Sequence, residues 1–279
     1  GTSGLLIPKD LTSLLSGGSG WDARAAVFAA LREIYDGRWS RALGSDGGRT
    51  LDWQGRIVII GACTQAWDTS RQAHAAMGER FLTVRLEPTE GQRQEALRNG
   101  SRTSSDRAEV EAALEAAIGG LLQHLPNPEP VVPDAWDEPL RSLADALALM
   151  RSPVLWARGS DRIEGAHREE PNRIRHQLET WGLGLLSIGA DPSEALAALA
   201  RAVCDTVPPL RLQVLAELAG SQQVDQAQLA VALRRDRHTV DRCLRELEAL
   251  DLAQYLGKPS QIVAGQCNRV TKGIRSVSI

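Results

Sequence analysis

Acidic and hydroxyl side chains follow two apolar segments that have the character of parallel strands. Asp10 comes shortly after the apolar run 5–7, and Thr64 follows the run 57–61, which has the continuous apolar composition of a strand buried on both faces. An acid at the carboxyl end of a parallel strand is where the magnesium of a bound nucleotide is held, and a threonine there can orient water or a phosphate. Taken singly, neither residue is specific: acids often end strands because they favour solubility, and a threonine at a strand end is more often part of a turn or a cap.

A second set of candidate residues is basic and lies near the C-terminal end. Between 208 and 252 apolar residues recur at helical spacing in three short segments, which is the layout of a helix-turn-helix unit. Asp236 is expected to cap the third helix, with Val240, Leu244 and Leu247 facing the core. The opposite face carries donors that could reach phosphates and base edges in a major groove: Arg237, His238, Thr239, Arg242 and Arg245.

Two interpretations of this third helix that do not involve nucleic acid stay open. Asp241 and Glu246 lie among the basic residues and reduce the positive charge of the exposed face. A surface helix with solvated arginines has the same pattern, and small helix-turn-helix units also serve as protein docking modules.

The elements that must position Asp10 and Thr64 alternate between strand and helix. We predict strands at 5–7, 56–61 and 81–86, and helices at 21–36, up to 77, at 89–100 and at 106–124. This alternation predicts an α/β fold with a parallel sheet. Since a doubly wound sheet usually has more than three strands, we expect that part of the sheet precedes Gly1.

The rest of the chain is predicted to be mostly helical. Residues 126–139 contain five of the thirteen prolines and therefore form a connector. Residues 140–206 have helical patterns throughout, at 140–150, about 171–188 and 193–206. The basic segment 252–279 is expected to form a wing with a tail, or a poorly ordered end. The predicted domains are 1–125, 126–206 and 207–279.

Composition excludes several classes of protein. With 43% hydrophobic and 24% charged residues among 279, the chain is not disordered or fibrous, and it has no apolar run long enough for a membrane span. Residues 1–20 lack a signal peptide, and four widely spaced cysteines favour a reducing cytoplasm without structural zinc. A net charge of −3 means that any nucleic-acid site must be a local one.

Four segments together resemble the second half of an AAA+ type ATPase core. They are IPKDLTSLL (7–15), ALREIYDG (30–37), GACT (61–64) and MGERF (77–81). More specifically, the chain resembles bacterial and phage-encoded ATP-binding proteins distantly similar to minichromosome-maintenance helicases, over most of residues 5–250. The resemblance implies an ATPase core, a helical lid, a winged helix-turn-helix, ATP and Mg²⁺ as cofactors, and homo-oligomers that bind double-stranded DNA.

The resemblance also implies roles for individual residues. Asp10 would be the Walker B acid and the Mg²⁺ ligand, Thr64 the sensor-1 residue, and Arg80 an arginine finger that projects into a neighbouring subunit. Arg173 would be the sensor-2 arginine that contacts the nucleotide from the lid.

The sequence departs from this family at the phosphate loop. It contains no Gly-x-x-x-x-Gly-Lys-Ser/Thr, the Gly-rich turn 44–50 lacks the lysine, and Leu11 follows Asp10 where a catalytic glutamate is usual. We therefore expect a helicase-like protein whose phosphate loop lies upstream of Gly1 or has been lost. The alternatives are a non-enzymatic DNA-binding regulator with an oligomerising α/β module, and a protein-interaction remnant without activity.

Overall fold

A computed structural model describes residues 2–8, 10–12, 21–43, 48–69, 80–100, 103–220, 223–255 and 261–264. The chain divides into two compact units, Gly1–Phe81 and Leu82–Ile279. The mixed α/β class predicted from the sequence is confirmed. The division falls after Phe81, whereas the sequence placed its boundaries after 125 and 206.

The first unit is a three-stranded sheet with helices. Its elements are β1 (Thr2–Leu6), α1 (Trp21–Tyr35), β2 (Arg38–Leu43), β3 (Arg49–Ile59) and α2 (Ala66–Thr69). The strand order is β1-β3-β2, with β1 parallel to β3, as the two apolar runs predicted. The antiparallel pairing of β2 with β3 was not predicted. This pairing places Trp39 opposite Trp53. Gly37, whose φ of +88° is accessible to glycine, lies between α1 and β2 and lets the chain turn from the helix into the strand.

The strand predicted at 81–86 does not form. In the second unit, the Thr83 amide donates to the Thr206 hydroxyl at 2.8 Å and the Arg85 amide donates to the Asp205 carboxylate at 2.9 Å. Side chains at the end of a helix therefore satisfy backbone donors that a neighbouring strand would otherwise satisfy.

The second unit begins with helices and a β-hairpin. They are α3 (Glu90–Asn99), α4 (Thr103–Gln123), a 3₁₀ turn at Asp134–Trp136, α5 (Asp137–Arg151), β4 (Val154–Trp156), β5 (Ile163–Ala166), α6 (Pro171–Ser187) and α7 (Pro192–Thr206). The antiparallel hairpin β4–β5 interrupts a region predicted to be helical throughout. Pro153 disfavours continuation of α5 through Ser152, and the hairpin turns at Gly159, where φ is +72°.

Three helices and three short strands follow among the described residues. They are α8 (Pro209–Gly220), β6 (Val224–Asp225), α9 (Gln226–Ala232), α10 (Arg237–Ala249), β7 (Ala253–Tyr255) and β8 (Gln261–Ala264). The strands form an antiparallel sheet in the order β6-β8-β7. The three predicted helices are confirmed, and the sheet links the segment before α9 to the segment after α10.

One hydrophobic core of the second unit runs through helices α5 to α10 and the terminal sheet. It includes Leu147 of α5, Leu199 of α7 and Leu244 of α10, each with 0% of its surface exposed. The helices of the predicted lid and the C-terminal helices thus share a single core.

None of the helices within the described ranges has the length and apolar character needed to span a bilayer.

Candidate functional sites

The turn between α9 and α10 is built from local hydrogen bonds. Asp225 caps α9 by accepting from the amides of Ala227 and Gln228, at 2.8 and 3.2 Å. Asp236 caps α10 by accepting from the Thr239 amide at 2.8 Å, as predicted. Hydrogen bonds from the Thr239 side chain and backbone hold the pKa of Asp236 below its usual range. Both helix starts are therefore fixed by carboxylates.

The inner face of α10 packs into the core as the spacing predicted. Val240, Leu244 and Leu247 are each fully buried. The basic residues of this helix consequently point away from the core, and their surroundings decide whether they are open to a ligand.

The β4–β5 hairpin lies along the outward face of α10. The Arg242 guanidinium lies 4.6 Å from the centre of the Trp156 ring, and the Trp156 indole N–H donates to Glu246 at 3.1 Å. Nearer the hairpin tip, Arg245 Nη1 donates to the Asp161 carbonyl at 3.4 Å. Two of the five predicted DNA contacts, Arg242 and Arg245, therefore already have partners inside the chain.

The N-terminal end of α10 is more open. Arg237 and the turn residues Arg234 and Arg235 are exposed, and within the described part of the chain their side chains have no hydrogen bond or ion pair. His238 is 72% exposed, with its Nε2 atom 4.0 Å from the Asp161 carboxylate, and Thr239 is half-buried. The accessible positive charge is thus concentrated at the start of the helix.

A partly buried ionic network joins α10 to the rest of the unit. Arg211 of α8 is buried and donates to Glu246 Oε2 at 2.9 and 3.1 Å. Its Nη1 atom donates to the carbonyls of Met150 and Ser152 at the end of α5, at 3.0 and 2.8 Å. Sequence analysis treated Glu246 only as a residue that reduces the positive charge of the helix. In the structure Glu246 positions both Arg211 and Trp156.

A second cluster lies at the ends of β1 and β3 in the first unit. The Leu11 amide donates to the Ala62 carbonyl at 2.9 Å and extends the parallel pairing beyond the strands. This pairing brings Asp10 and Thr64 to the same edge, with Thr12 between them. The Thr12 amide donates to Asp10 Oδ1 at 2.7 Å, the Thr64 amide donates to the Thr12 hydroxyl at 3.1 Å, and the two threonine hydroxyls are 3.4 Å apart.

The donor set at this edge fits one side of a magnesium–nucleotide site. Mg²⁺ is usually held by one or two carboxylates together with substrate phosphates and water, and Asp10 supplies one exposed carboxylate beside two hydroxyls. Within the described ranges, no three His, Cys, Asp or Glu side chains form a group that could hold a metal without such phosphates. Thr12 was not singled out by sequence analysis, although its position two residues after Asp10 was a usable signal.

Arg80 does not project outward as the arginine-finger interpretation expected. Its side chain is only 16% exposed and makes two hydrogen bonds to the Asp36 carboxylate, at 3.0 and 3.2 Å. Its guanidinium also lies 5.8 Å from the centre of the Tyr35 ring. The ion pair links two of the segments that carry the family resemblance.

Arg173 belongs to the second unit and shares a carboxylate with another arginine. Glu169 accepts from Arg151 at 2.7 and 2.8 Å and also from Arg173. The Nε atom of Arg173 is buried and has no hydrogen-bond partner among the described residues. Two guanidinium groups therefore share one carboxylate.

Comparison of the chain with protein-family models, curated proteins and solved structures finds no match.

Proposed function

We propose that this chain is a DNA-associated, helicase-like ATP-binding protein of the AAA+ type, whose C-terminal part binds duplex DNA through the N-terminal end of α10. The observation that carries the proposal is the α9–turn–α10 arrangement, in which both helix starts are capped and the start of α10 presents exposed arginines. In helix-turn-helix proteins the N-terminal residues of the second helix contact base edges and phosphates.

The topology around α10 supports a winged-helix interpretation. Helix α8 is followed by strand β6, helices α9 and α10, and strands β7 and β8, with β8 between the other two strands. The segment that joins β7 to β8 would be the wing. It contains Lys258, which lies outside the described residues.

Local charge supports phosphate binding despite the net charge of −3. Arg234, Arg235 and Arg237 occupy four consecutive positions together with Asp236, whose carboxylate is committed to capping α10. The partial positive charge of the helix N-terminus adds to these arginines. Arginine is well suited to this ligand because its fork of N–H donors matches phosphate oxygens.

The strand edge at Asp10 is the proposed nucleotide-facing part of the ATPase core. Asp10 would hold Mg²⁺, and the hydroxyls of Thr12 and Thr64 would orient water or a phosphate oxygen. When bound, Mg²⁺ neutralises charge on the transferred phosphoryl group. For Arg80 to act on a neighbouring subunit in a homo-oligomer, it must leave Asp36, and for Arg173 to contact a nucleotide, it must leave Glu169.

The alternative is a non-enzymatic DNA-binding regulator. It is favoured by the lack of a phosphate-loop lysine in this sequence and by the engagement of Arg80 with Asp36. The ATP-binding protein and the non-enzymatic regulator both require DNA binding by α10, so a measurement of nucleotide binding distinguishes them.

Fluorescence anisotropy with the full chain and a labelled duplex tests the proposal. Arg237→Ala should weaken binding and lower the slope of log K against log salt by about one, because one phosphate contact is lost. Arg98→Ala is the matched control, since Arg98 is an exposed arginine on α3, and it should change neither quantity. No binding by the wild-type chain at low salt would contradict the proposal, and so would an Arg237→Ala variant that behaves like the control.

A further inference from the structure

The tip of the β4–β5 hairpin places two more arginines beside the start of α10. Residues 158–162 are all exposed, and they include Arg158 and Arg162. Neither arginine side chain has a hydrogen bond or ion pair with the residues that the structure describes. Asp161, which lies between them, is 4.0 Å from His238 and also contacts Arg245 through its carbonyl.

We infer that this hairpin is a second arm of the nucleic-acid interface, in which Arg158 and Arg162 bind backbone phosphates next to those reached by α10. The inference rests on the proposed DNA binding by α10 and adds a surface that the helix-turn-helix pattern does not include.

The hairpin is held against α10 by contacts at its turn end. Trp156, the last residue of β4, contacts both Arg242 and Glu246, and Asp161 in the turn contacts Arg245 and lies near His238. Backbone hydrogen bonds also close the tip, since the Ala157 amide donates to the Arg162 carbonyl at 2.8 Å and the Ser160 amide to the Ala157 carbonyl at 3.2 Å. The two arginines are thus carried on an ordered element at a fixed place along the helix.

The balance of charge around this surface favours an anionic ligand. Five arginine side chains of this surface have no hydrogen bond or ion pair among the described residues: Arg158, Arg162, Arg234, Arg235 and Arg237. The carboxylates nearby are those of Asp161, Glu164 on β5, Asp236, Asp241 and Glu246. Asp236 caps α10, Asp241 pairs with Arg245 at 2.8 Å and Glu246 pairs with Arg211 at 2.9 Å, so Asp161 and Glu164 are left to oppose the five positive charges.

The arrangement fits an extended phosphate backbone better than a single phosphate group. The arginines lie in two places, on the hairpin and at the α9–α10 turn with the first residue of α10, and Asp161 and His238 lie between them. A duplex presents a continuous row of phosphates on both sides of its groove, so a helix end and a neighbouring arm can bind it together. Because phosphate contacts carry no sequence information directly, this arm would raise affinity without raising specificity.

The contact between Arg242 and Trp156 has a role in the proposed interface. Its guanidinium stacks on Trp156 and supports the arm where β4 ends, so Arg242 acts as a positioning residue. Arg158 and Arg162 would then make the phosphate contacts.

The test compares full-length variants by fluorescence anisotropy across a salt series. The double variant Arg158→Ala/Arg162→Ala should bind a duplex more weakly than wild type, with a salt slope lower by about two. The matched control is Arg98→Ala/Arg107→Ala, which removes the same charge from exposed positions on α3 and α4 and should leave the slope unchanged. Both pairs are exposed, so neither substitution disturbs the core.

Each outcome decides between the two proposals. If the hairpin double variant and Arg237→Ala both lower the salt slope, the result supports the hairpin as a second arm. If Arg237→Ala lowers the slope but the hairpin double variant behaves like the control, the second arm is overturned and DNA binding by α10 still stands. Tighter binding by the hairpin variant also overturns it, since the hairpin would then be a cover over α10. No binding by the wild-type chain overturns both.

Discussion

At the scale of single residues, carboxylates do most of the positioning. Asp225 and Asp236 fix the starts of α9 and α10, Asp36 holds Arg80, and Glu169 holds Arg151 and Arg173. Sequence analysis found the Asp236 cap because it depends on residues three apart in the chain. It missed Asp36 as the partner of Arg80 because that pair is separated by 44 residues, and long-range pairing leaves no local pattern.

The Asp236 cap should make the stability of the chain depend on pH in the acid range. Hydrogen bonds from Thr239 lower the pKa of Asp236 in the folded chain from its ordinary value of 3.8. The stabilising effect is therefore complete above that value and is lost as the pH falls through the lowered folded pKa. Between pH 6 and pH 3, urea unfolding should show a smaller loss of stability in Asp236→Asn than in wild type, since asparagine also caps but does not titrate.

The matched control for this measurement is Asp134→Asn. Asp134 is an exposed aspartate whose carboxylate accepts no hydrogen bond from the described residues. If Asp236→Asn and Asp134→Asn lose the same stability as wild type on acidification, the cap has no part in the acid response.

At the scale of elements, helices were predicted better than strands. The helix-turn-helix segment and the helices at 140–150, 171–188 and 193–206 follow from apolar spacing, which is a local signal. The hairpin β4–β5 was missed, although Gly159 and Ser160 lie between two β-branched and aromatic runs and formed a usable turn signal. The prediction of a strand at 81–86 was wrong because apolar composition does not determine which groups accept hydrogen bonds from the backbone amides. Here the acceptors are side chains of α7.

Helix α6 contains two glycines with opposite packing, and substitutions there should have opposite effects. A Cβ at Gly182 would lie 2.6 Å from the buried ring of Trp136 and 3.3 Å from Leu199, so Gly182→Ala should lower the free energy of unfolding by about 1–3 kcal/mol. At Gly184 no atom lies within 4 Å of such a Cβ, so Gly184→Ala should raise it by about 0.5–1 kcal/mol through helix propensity. Urea denaturation of the two variants measures both. A loss of stability at Gly184 as large as that at Gly182 would contradict the packing argument.

At the scale of the whole molecule, the parts proposed for different chemistry lie in different units. Asp10, Thr12, Thr64 and Arg80 belong to Gly1–Phe81, whereas Arg173 and all the proposed DNA contacts belong to Leu82–Ile279. The parallel pairing of β1 with β3 brings Asp10 and Thr64 together, as expected for strands whose carboxyl ends share one edge. The sequence did not predict that the helices of 140–206 and 209–249 share one core, since that depends on side-chain fit between helices distant in sequence.

The strand edge carries part of the proposed ATPase site, and this determines the activity that we expect of the chain. Asp10, Thr12 and Thr64 can face Mg²⁺ and a phosphate, but the sequence has no lysine in a phosphate loop to cradle the β- and γ-phosphates. Because positioning and charge stabilisation supply nearly all of the catalysis of phosphoryl transfer, we predict no ATP hydrolysis above background by this chain with magnesium. A steady-state phosphate-release assay measures the rate of hydrolysis, with Asp10→Ala as the comparison.

Turnover of about one per second that disappears in Asp10→Ala would contradict the prediction, since typical kinase-like rates would then be reached without the loop. Equal background rates in both proteins would agree with it.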